Sequence, residues 1–255
     1  MRNFFIAIIL FANLSVYGQG QTTMVNIKGG FYLPLYSLDS QKIVVKPFLM
    51  DIYPVTNMDY KKFVLQFPDW RKSKIKSIYA DTNYLHHWTS DTNFNALLAF
   101  SPVVNVSWFA AKKYCECQGK RLPTVAEWEL AGKANETKPD ATKDLKFNQW
   151  LLNWVSKPNT RMLANVGSTF KNYYGVWDLH GLVWEWTFDF NSIFLSGESR
   201  KDKDTDKDLF CGSGSVNATD LMNYAAFMRY AFRGSIKANY TTKNLGFRCA
   251  KNISN

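Results

Sequence analysis

The chain has 255 residues, enough for one large domain or two small ones, and enough to bury a substantial core. Hydrophobic residues make up 46% of it and charged residues 20%, an ordinary balance for a soluble globular protein. The formal net charge is +10, but the lysines are scattered and no run of them alternates with aromatic residues. The charge therefore predicts a solvated basic surface and argues against nucleic-acid binding.

The N-terminus has the pattern of a secretory signal. Arg2 precedes an apolar run over residues 4–16, and two glycines follow. This run is shorter than the roughly 20 residues of a membrane-spanning helix, so we expect cleavage rather than anchoring. Residues 1–20 are assigned to the signal peptide and 21–255 to one domain, exported to the periplasm or cell envelope. No transmembrane segment is expected in the mature chain.

Cysteine usage agrees with export. There are four cysteines, and an even number in an exported chain favours disulfides. Their number alone allows three complete pairings. The four positions are Cys115, Cys117, Cys211 and Cys249.

Short strands are predicted first, followed by three helices. Residues 24–27, 31–33, 43–45 and 48–50 are apolar runs separated by turn signals. Thr56, Ser107 and Thr124 each stand where a helix N-cap is expected, and Thr124 with Glu127 forms a capping-box pattern. Beyond residue 135 the apolar runs are short, so regular structure is expected to become sparse. Residues 198–208 alternate Lys and Asp over much of their length, which predicts an exposed loop.

Four blocks resemble the sulfatase-modifying factor (formylglycine-generating enzyme) family, across nearly the whole mature chain. They are residues 47–60; residues 102–129, with Arg-Leu-Pro-Thr at 121–124; residues 172–186, with Gly-Leu-Val-Trp-Glu-Trp at 181–186; and Arg229 with Arg233, followed by Asn-Leu-Gly-Phe-Arg-Cys-Ala at 244–250. The resemblance implies a C-type-lectin-related α+β fold with little regular secondary structure.

The oxidase of this family holds copper(I) between two Cys thiolates, which suit a soft metal ion. In the family these cysteines are five residues apart, and the second lies four residues before the first Arg of the Arg-x-x-x-Arg pair. Counting back from Arg229 places the two positions at Ala225 and Asp220, and no Cys occurs anywhere from 212 to 248. Copper binding and formylglycine formation are therefore not expected, and the chain is interpreted as a pseudoenzyme without catalytic residues.

The resemblance also implies a disulfide between Cys115 and Cys249, and leaves open whether Cys117 and Cys211 pair. It further implies a calcium site. Asp178 and Glu185 match family ligands that act through their side chains. Gly181 and Val183 match family ligands that act through their backbone carbonyls. Carboxylates together with main-chain oxygens are the ligands that calcium prefers.

The sequence therefore predicts an exported non-oxidase member of the family. It would act as a protein-binding or assembly factor in the cell envelope, with an envelope protein or peptide as its ligand. The alternative is an oxidoreductase of the formylglycine-generating or a related metal-dependent type, acting on a protein or a small substrate. Carbohydrate binding is a third possibility, which rests only on fold analogy and the nine Trp residues.

Overall fold

The computed structural model describes residues 23–34, 42–155, 163–191 and 221–253, which form short strands and helices linked by long irregular segments. The strands are β1 (Met24–Ile27), β2 (Gly30–Tyr32), β3 (Ile43–Val45), β4 (Phe48–Asp51), β5 (Trp184–Glu185), β6 (Leu245–Gly246) and β7 (Ala250–Asn252). The helices are α1 (Asn57–Gln66), α2 (Trp108–Cys117), α3 (Val125–Gly132), α4 (Leu145–Val155) and α5 (Leu221–Ser235). The predicted α+β class with little regular secondary structure is confirmed.

Several sequence predictions lie outside the described residues. They are the signal peptide at 1–20, the exposed loop at 198–208, Cys211 and Asp220. None of the helices in the described ranges is long and apolar enough to cross a lipid bilayer.

The largest sheet brings the two ends of the described chain together. β4 lies in its centre and pairs antiparallel with β1 on one side and with β7 on the other. Ile27 and Met50 point from these strands into the interior and are completely buried. The apolar runs at 24–27 and 48–50 are therefore strands, as predicted.

β2 and β3 form a separate antiparallel pair, in which Phe31 is opposite Val44. The chain enters this pair through Gly29, which lies close to the backbone of β3. A Cβ atom at Gly29 would lie 2.4 Å from the carbonyl oxygen of Val45, so only glycine fits there without a shift of the backbone.

The three predicted helix caps are present. Thr56 accepts a hydrogen bond from the N–H of Asp59, and Ser107 accepts one from the N–H of Ala110. Thr124 and Glu127 form the complete capping box, in which each side chain accepts from the backbone of the other residue. These side chains satisfy backbone donors that have no partner within their helices.

A buried aromatic core surrounds the disulfide that joins Cys115 of α2 to Cys249. Both cysteines are completely buried, and their Cα atoms are 5.6 Å apart. Tyr60 lies in the same core and shares a hydrogen bond of 2.7 Å with the hydroxyl of Tyr84. Cys117 is half-buried and forms no disulfide with any cysteine in the described part of the chain.

The expectation that regular structure becomes sparse after residue 135 is wrong for two segments, because α4 and α5 lie there. The Asp144 carboxylate accepts hydrogen bonds from the backbone N–H groups of Lys146 and Phe147, as an N-cap does. Phe147 and Leu151 then form a buried stripe four residues apart. Both the cap and the stripe can be recognised in the sequence, so α4 was predictable.

Candidate functional site

One face of α5 carries the residues that determine what chemistry is possible at the site. Ala225, Arg229 and Arg233 follow one another at intervals of four, so they lie along the same side of the helix. Both arginines bind Glu129 of α3. The Nη2 of Arg229 lies 2.8 Å from its Oε2, and the Nη1 of Arg233 lies 2.6 Å from its Oε1.

This ion cluster is deeply buried, since all three side chains are 6% exposed or less. Burial alone would raise the pKa of Glu129, but the two arginines outweigh it and lower the pKa to about 2. The guanidinium groups also lie over the ring of Trp128, at 5.0 Å for Arg233 and 5.9 Å for Arg229. Glu129 is therefore a permanent anion that fixes α5 against α3, and not a proton-transfer group.

Ala225 is the position that the sequence resemblance matches to the second copper-binding Cys of the oxidase. Its side chain is completely buried and packs in one cluster with Ala141, Phe147 and Leu151. A methyl group in this contact offers no ligand to a soft metal ion. The first position, Asp220, lies outside the described residues.

An open cleft of about 570 Å³ lies beside the ion cluster, between β2 and α5. We call it the β2–α5 cleft. Lys133, which directly follows α3, also lines it and forms an ion pair with Asp140, whose carboxylate oxygen lies 3.1 Å from the Lys133 Nζ. The cleft is also lined by Phe31, Tyr32, Leu33, Lys42, Lys143 and Arg229.

The predicted calcium ligand Asp178 lies in a tightly bonded loop. Its backbone has a φ of 59°, and its carboxylate is completely buried. One carboxylate oxygen accepts from the N–H of Gly167, and the other accepts from the N–H and the hydroxyl of Thr169. The loop turns at Gly181, where φ is 99° and a Cβ atom would lie 2.8 Å from the Thr169 side chain. Val183 is buried just before β5.

The other predicted ligand, Glu185, forms an ion pair with Arg248 in which both residues have fully buried side chains. Arg248 donates to both carboxylate oxygens at 2.8–3.0 Å, and the indole N–H of Trp128 donates to one of them. In this conformation Oε1 accepts from Nη2 of Arg248 and Oε2 from Trp128, and the two oxygens share the single Nε–H of Arg248, so donors already occupy both oxygens. Calcium binding stays a prediction, and it requires Arg248 to release Glu185.

His180, between these two carboxylates in the sequence, is completely buried. Its Nε2 lies 2.8 Å from the carbonyl oxygen of Gly132, and its Nδ1 has no partner within the described ranges. Burial, together with the charge of Arg229, lowers the pKa of His180 to about 3. The imidazole is therefore neutral at every physiological pH.

Acid should destabilise the fold through His180. In the unfolded chain this histidine takes up a proton near pH 6.5, whereas in the folded chain it resists protonation down to about pH 3. Stability is therefore complete above pH 6.5 and is lost as the pH falls towards 3, by about 1.4 kcal/mol per unit, or about 2 kcal/mol at pH 5. Denaturant unfolding at pH 7 and pH 5 measures this loss.

The variant His180→Gln should lose about 2 kcal/mol less than the wild type over the same interval, because its amide does not titrate. His86→Gln is the control, since His86 is exposed. An equal pH dependence in all three proteins would contradict the buried neutral state of His180.

The sequence predicted some of these residues but not their partners. Ala225, Asp178 and Glu185 were identified, and the structure places them in three different contacts rather than in one cluster. Tyr32, Lys42 and Glu129 were not identified as site residues. No sequence signal connects them, because they are brought together only by the packing of β2 and β3 against α3.

Comparison with known proteins shows similarity along nearly the whole chain. A family model described as "Sulfatase-modifying factor enzyme 1-like domain" matches residues 14–253. The Bos taurus protein named "Inactive C-alpha-formylglycine-generating enzyme 2" is 29% identical over 281 residues, covering 91% of this chain and 89% of that protein. The Mus musculus "Formylglycine-generating enzyme" is 30% identical over 253 residues, covering 83% of this chain and 68% of that protein.

Among solved structures, CarF is similar with a TM-score of 0.52 and 16% sequence identity, covering 92% of this chain and 99% of that one. At this identity the likeness is one of fold alone. The relative named as a formylglycine-generating enzyme and the one named as inactive are about equally similar in sequence, so overall similarity does not distinguish between them.

Proposed function

Because the chain belongs to the sulfatase-modifying factor enzyme 1-like family, we propose that it is a non-oxidase member that acts by binding another protein. The observation that carries this proposal is Ala225, which places a buried methyl group where the oxidase needs a thiolate. The fold and the ion cluster that holds α5 are retained. A retained scaffold without its metal ligands favours recognition over catalysis.

Two similar proteins carry the name "Inactive C-alpha-formylglycine-generating enzyme 2", one from Bos taurus and one from Mus musculus. Loss of the oxidase reaction is thus compatible with this family's fold. The signal-like pattern of residues 1–20 supports a place in the cell envelope, and the partner would then be an envelope protein or peptide. The intact mass of the mature protein tests export, because cleavage removes about 20 residues.

The purified protein should not convert Cys to formylglycine. Incubated with copper and a Cys-x-Pro-x-Arg peptide, it should give no more product by mass spectrometry than a heat-denatured sample, because no thiolate is available at position 225. A formylglycine-generating enzyme assayed in parallel is the positive control. Turnover above the denatured sample would overturn the non-oxidase assignment.

Binding is tested separately. Chemical cross-linking in intact cells, followed by purification through an affinity tag, should enrich a defined protein over a tag-only control. If repeated experiments enrich nothing over that control, the binding role is wrong even if the protein proves to have no oxidase activity.

Calcium should stabilise the protein only modestly, because it has to displace Arg248 from Glu185. With a Kd of about 1 mM, typical of extracellular modules, 10 mM calcium would add about 1.4 kcal/mol. This corresponds to a rise of about 3–6 °C in Tm, measured after treatment with EDTA. Magnesium is the control, since it demands a tighter octahedral shell. An unchanged Tm would leave Asp178 and Glu185 as hydrogen-bonding residues only.

A further inference from the structure

The β2–α5 cleft contains a buried hydroxyl group that has no hydrogen-bond partner. Tyr32 is 8% exposed, lines the cleft, and its Oη is bonded to nothing within the described parts of the chain. Leaving a buried hydroxyl unpaired costs free energy, so such groups normally have a partner. The Oη atom has less than 1 Å² of accessible surface, so a ligand in the cleft supplies the missing acceptor only when the Tyr32 ring turns towards it.

The charge of the cleft indicates what that acceptor is. Of the four cationic side chains that line it, Arg229 is paired with Glu129 and Lys133 with Asp140. Lys42 and Lys143 are exposed, and neither forms an ion pair within the described ranges. The cleft therefore has a net positive charge together with one free hydroxyl donor, which suits a carboxylate.

Two of the residues that line the cleft are apolar and exposed. Phe31 and Leu33 line it, with 59% and 52% of their surfaces accessible to solvent. Phe31 lies in β2 and Leu33 directly follows it, so the two exposed side chains form one apolar strip along the chain. Such a strip beside two free lysines matches a ligand that presents apolar and acidic groups side by side.

β2 and β3 pair only with each other among the described strands, so this sheet has two outer edges. Extended polypeptide segments can pair with such edges. From these observations we propose that the β2–α5 cleft binds an acidic, extended polypeptide segment, with its carboxylates against Tyr32, Lys42 and Lys143 and its apolar side chains against Phe31 and Leu33. The inference rests on the proposed binding function and names the chemistry of the partner.

A rhodamine-labelled peptide in which Glu alternates with Leu and Phe is the probe, with a Gln-for-Glu version as its neutral counterpart. Fluorescence anisotropy should show saturable binding of the Glu peptide that weakens with added salt. The Gln peptide should bind about tenfold more weakly, because it lacks the charge that the lysines recognise.

Two variants separate the cleft from the general basic surface. Lys42→Ala combined with Lys143→Ala should weaken binding of the Glu peptide about tenfold. Lys74→Ala with Lys76→Ala removes the same charge from exposed lysines outside the cleft and should leave binding unchanged. Tyr32→Phe should also weaken binding about tenfold while keeping Tm equal to or above that of the wild type, because the hydroxyl has no partner to lose.

Equal affinity for the Glu and Gln peptides would overturn the proposal, as would equal effects of the two lysine pairs. Binding of inorganic polyphosphate without binding of the Glu peptide would also overturn it, and would indicate a polyanion site instead. If cross-linking enriches a partner while the Glu peptide fails to bind, the binding function holds and only the assignment of this cleft is wrong. If neither experiment gives binding, both proposals fail.

Discussion

Replacing Arg248 with methionine is expected to lower the free energy of unfolding by about 3–5 kcal/mol, because it leaves a buried carboxylate without its counter-charge. Arg248 is completely buried and pairs with Glu185. It also donates to the carbonyl oxygens of Asp51, Ile52 and Trp177, so that one side chain connects β4, β5 and the loop before Asp178. Urea unfolding followed by tryptophan fluorescence measures the loss.

Arg121→Met is the matched control. Arg121 also binds a carboxylate through two nitrogens, with its Nη2 2.7 Å from Oε1 of Glu127, but its side chain is 29% exposed. Water can replace the lost donor there, so we expect the free energy of unfolding to fall by only about 1 kcal/mol. If Arg248→Met lowers the free energy of unfolding no more than Arg121→Met does, the buried Arg248–Glu185 pair does not stabilise the fold as proposed.

The double variant Arg248→Met with Glu185→Met should recover part of the lost stability, because it removes the unpaired carboxylate as well. The Ile52 carbonyl still accepts from the N–H of Trp177, but the Trp177 carbonyl loses its Arg248 donor, so full recovery is not expected. Comparing the single with the double variant separates the destabilisation due to the unpaired buried carboxylate from that due to lost packing.

The second large effect is expected from the disulfide. Replacing Cys115 and Cys249 with alanine opens a loop defined by a sequence separation of 134 residues. The chain-entropy model gives about 5 kcal/mol for a loop of this size, since the cross-link restricts mainly the unfolded chain. A loss of this size consumes a large part of the 5–15 kcal/mol that typically stabilises a domain.

The reduced protein should therefore unfold at a much lower urea concentration than the oxidised protein. Cys117→Ala is the control. Cys117 is half-buried and forms no disulfide among the described residues, so its replacement should change the free energy of unfolding little. If the double alanine variant is as stable as this control, the disulfide does not contribute as expected.

Local features of the fold were predictable from the sequence. The caps at Thr56, Ser107 and Thr124 depend on hydrogen bonds between residues three apart, so the sequence contains all the partners. The cap at Asp144 is equally local, and α4 was missed because its surroundings are rich in Lys, Asn and Thr. The family resemblance supplied the Cys115–Cys249 pairing, which the cysteine spacing alone leaves open.

The sequence by itself determined the family, the position of three helix starts and the absence of a Cys at Ala225, because each of these can be read from residues close together in the chain. Only the tertiary structure decided that Glu185 pairs with Arg248, 63 residues away, and that Glu129 pairs with Arg229, 100 residues away. The same is true of the Tyr32 hydroxyl, which has no hydrogen-bond partner among the residues that the structure describes. Such pairings depend on which elements pack together, and no helical or strand periodicity records which distant partner will satisfy a buried charge.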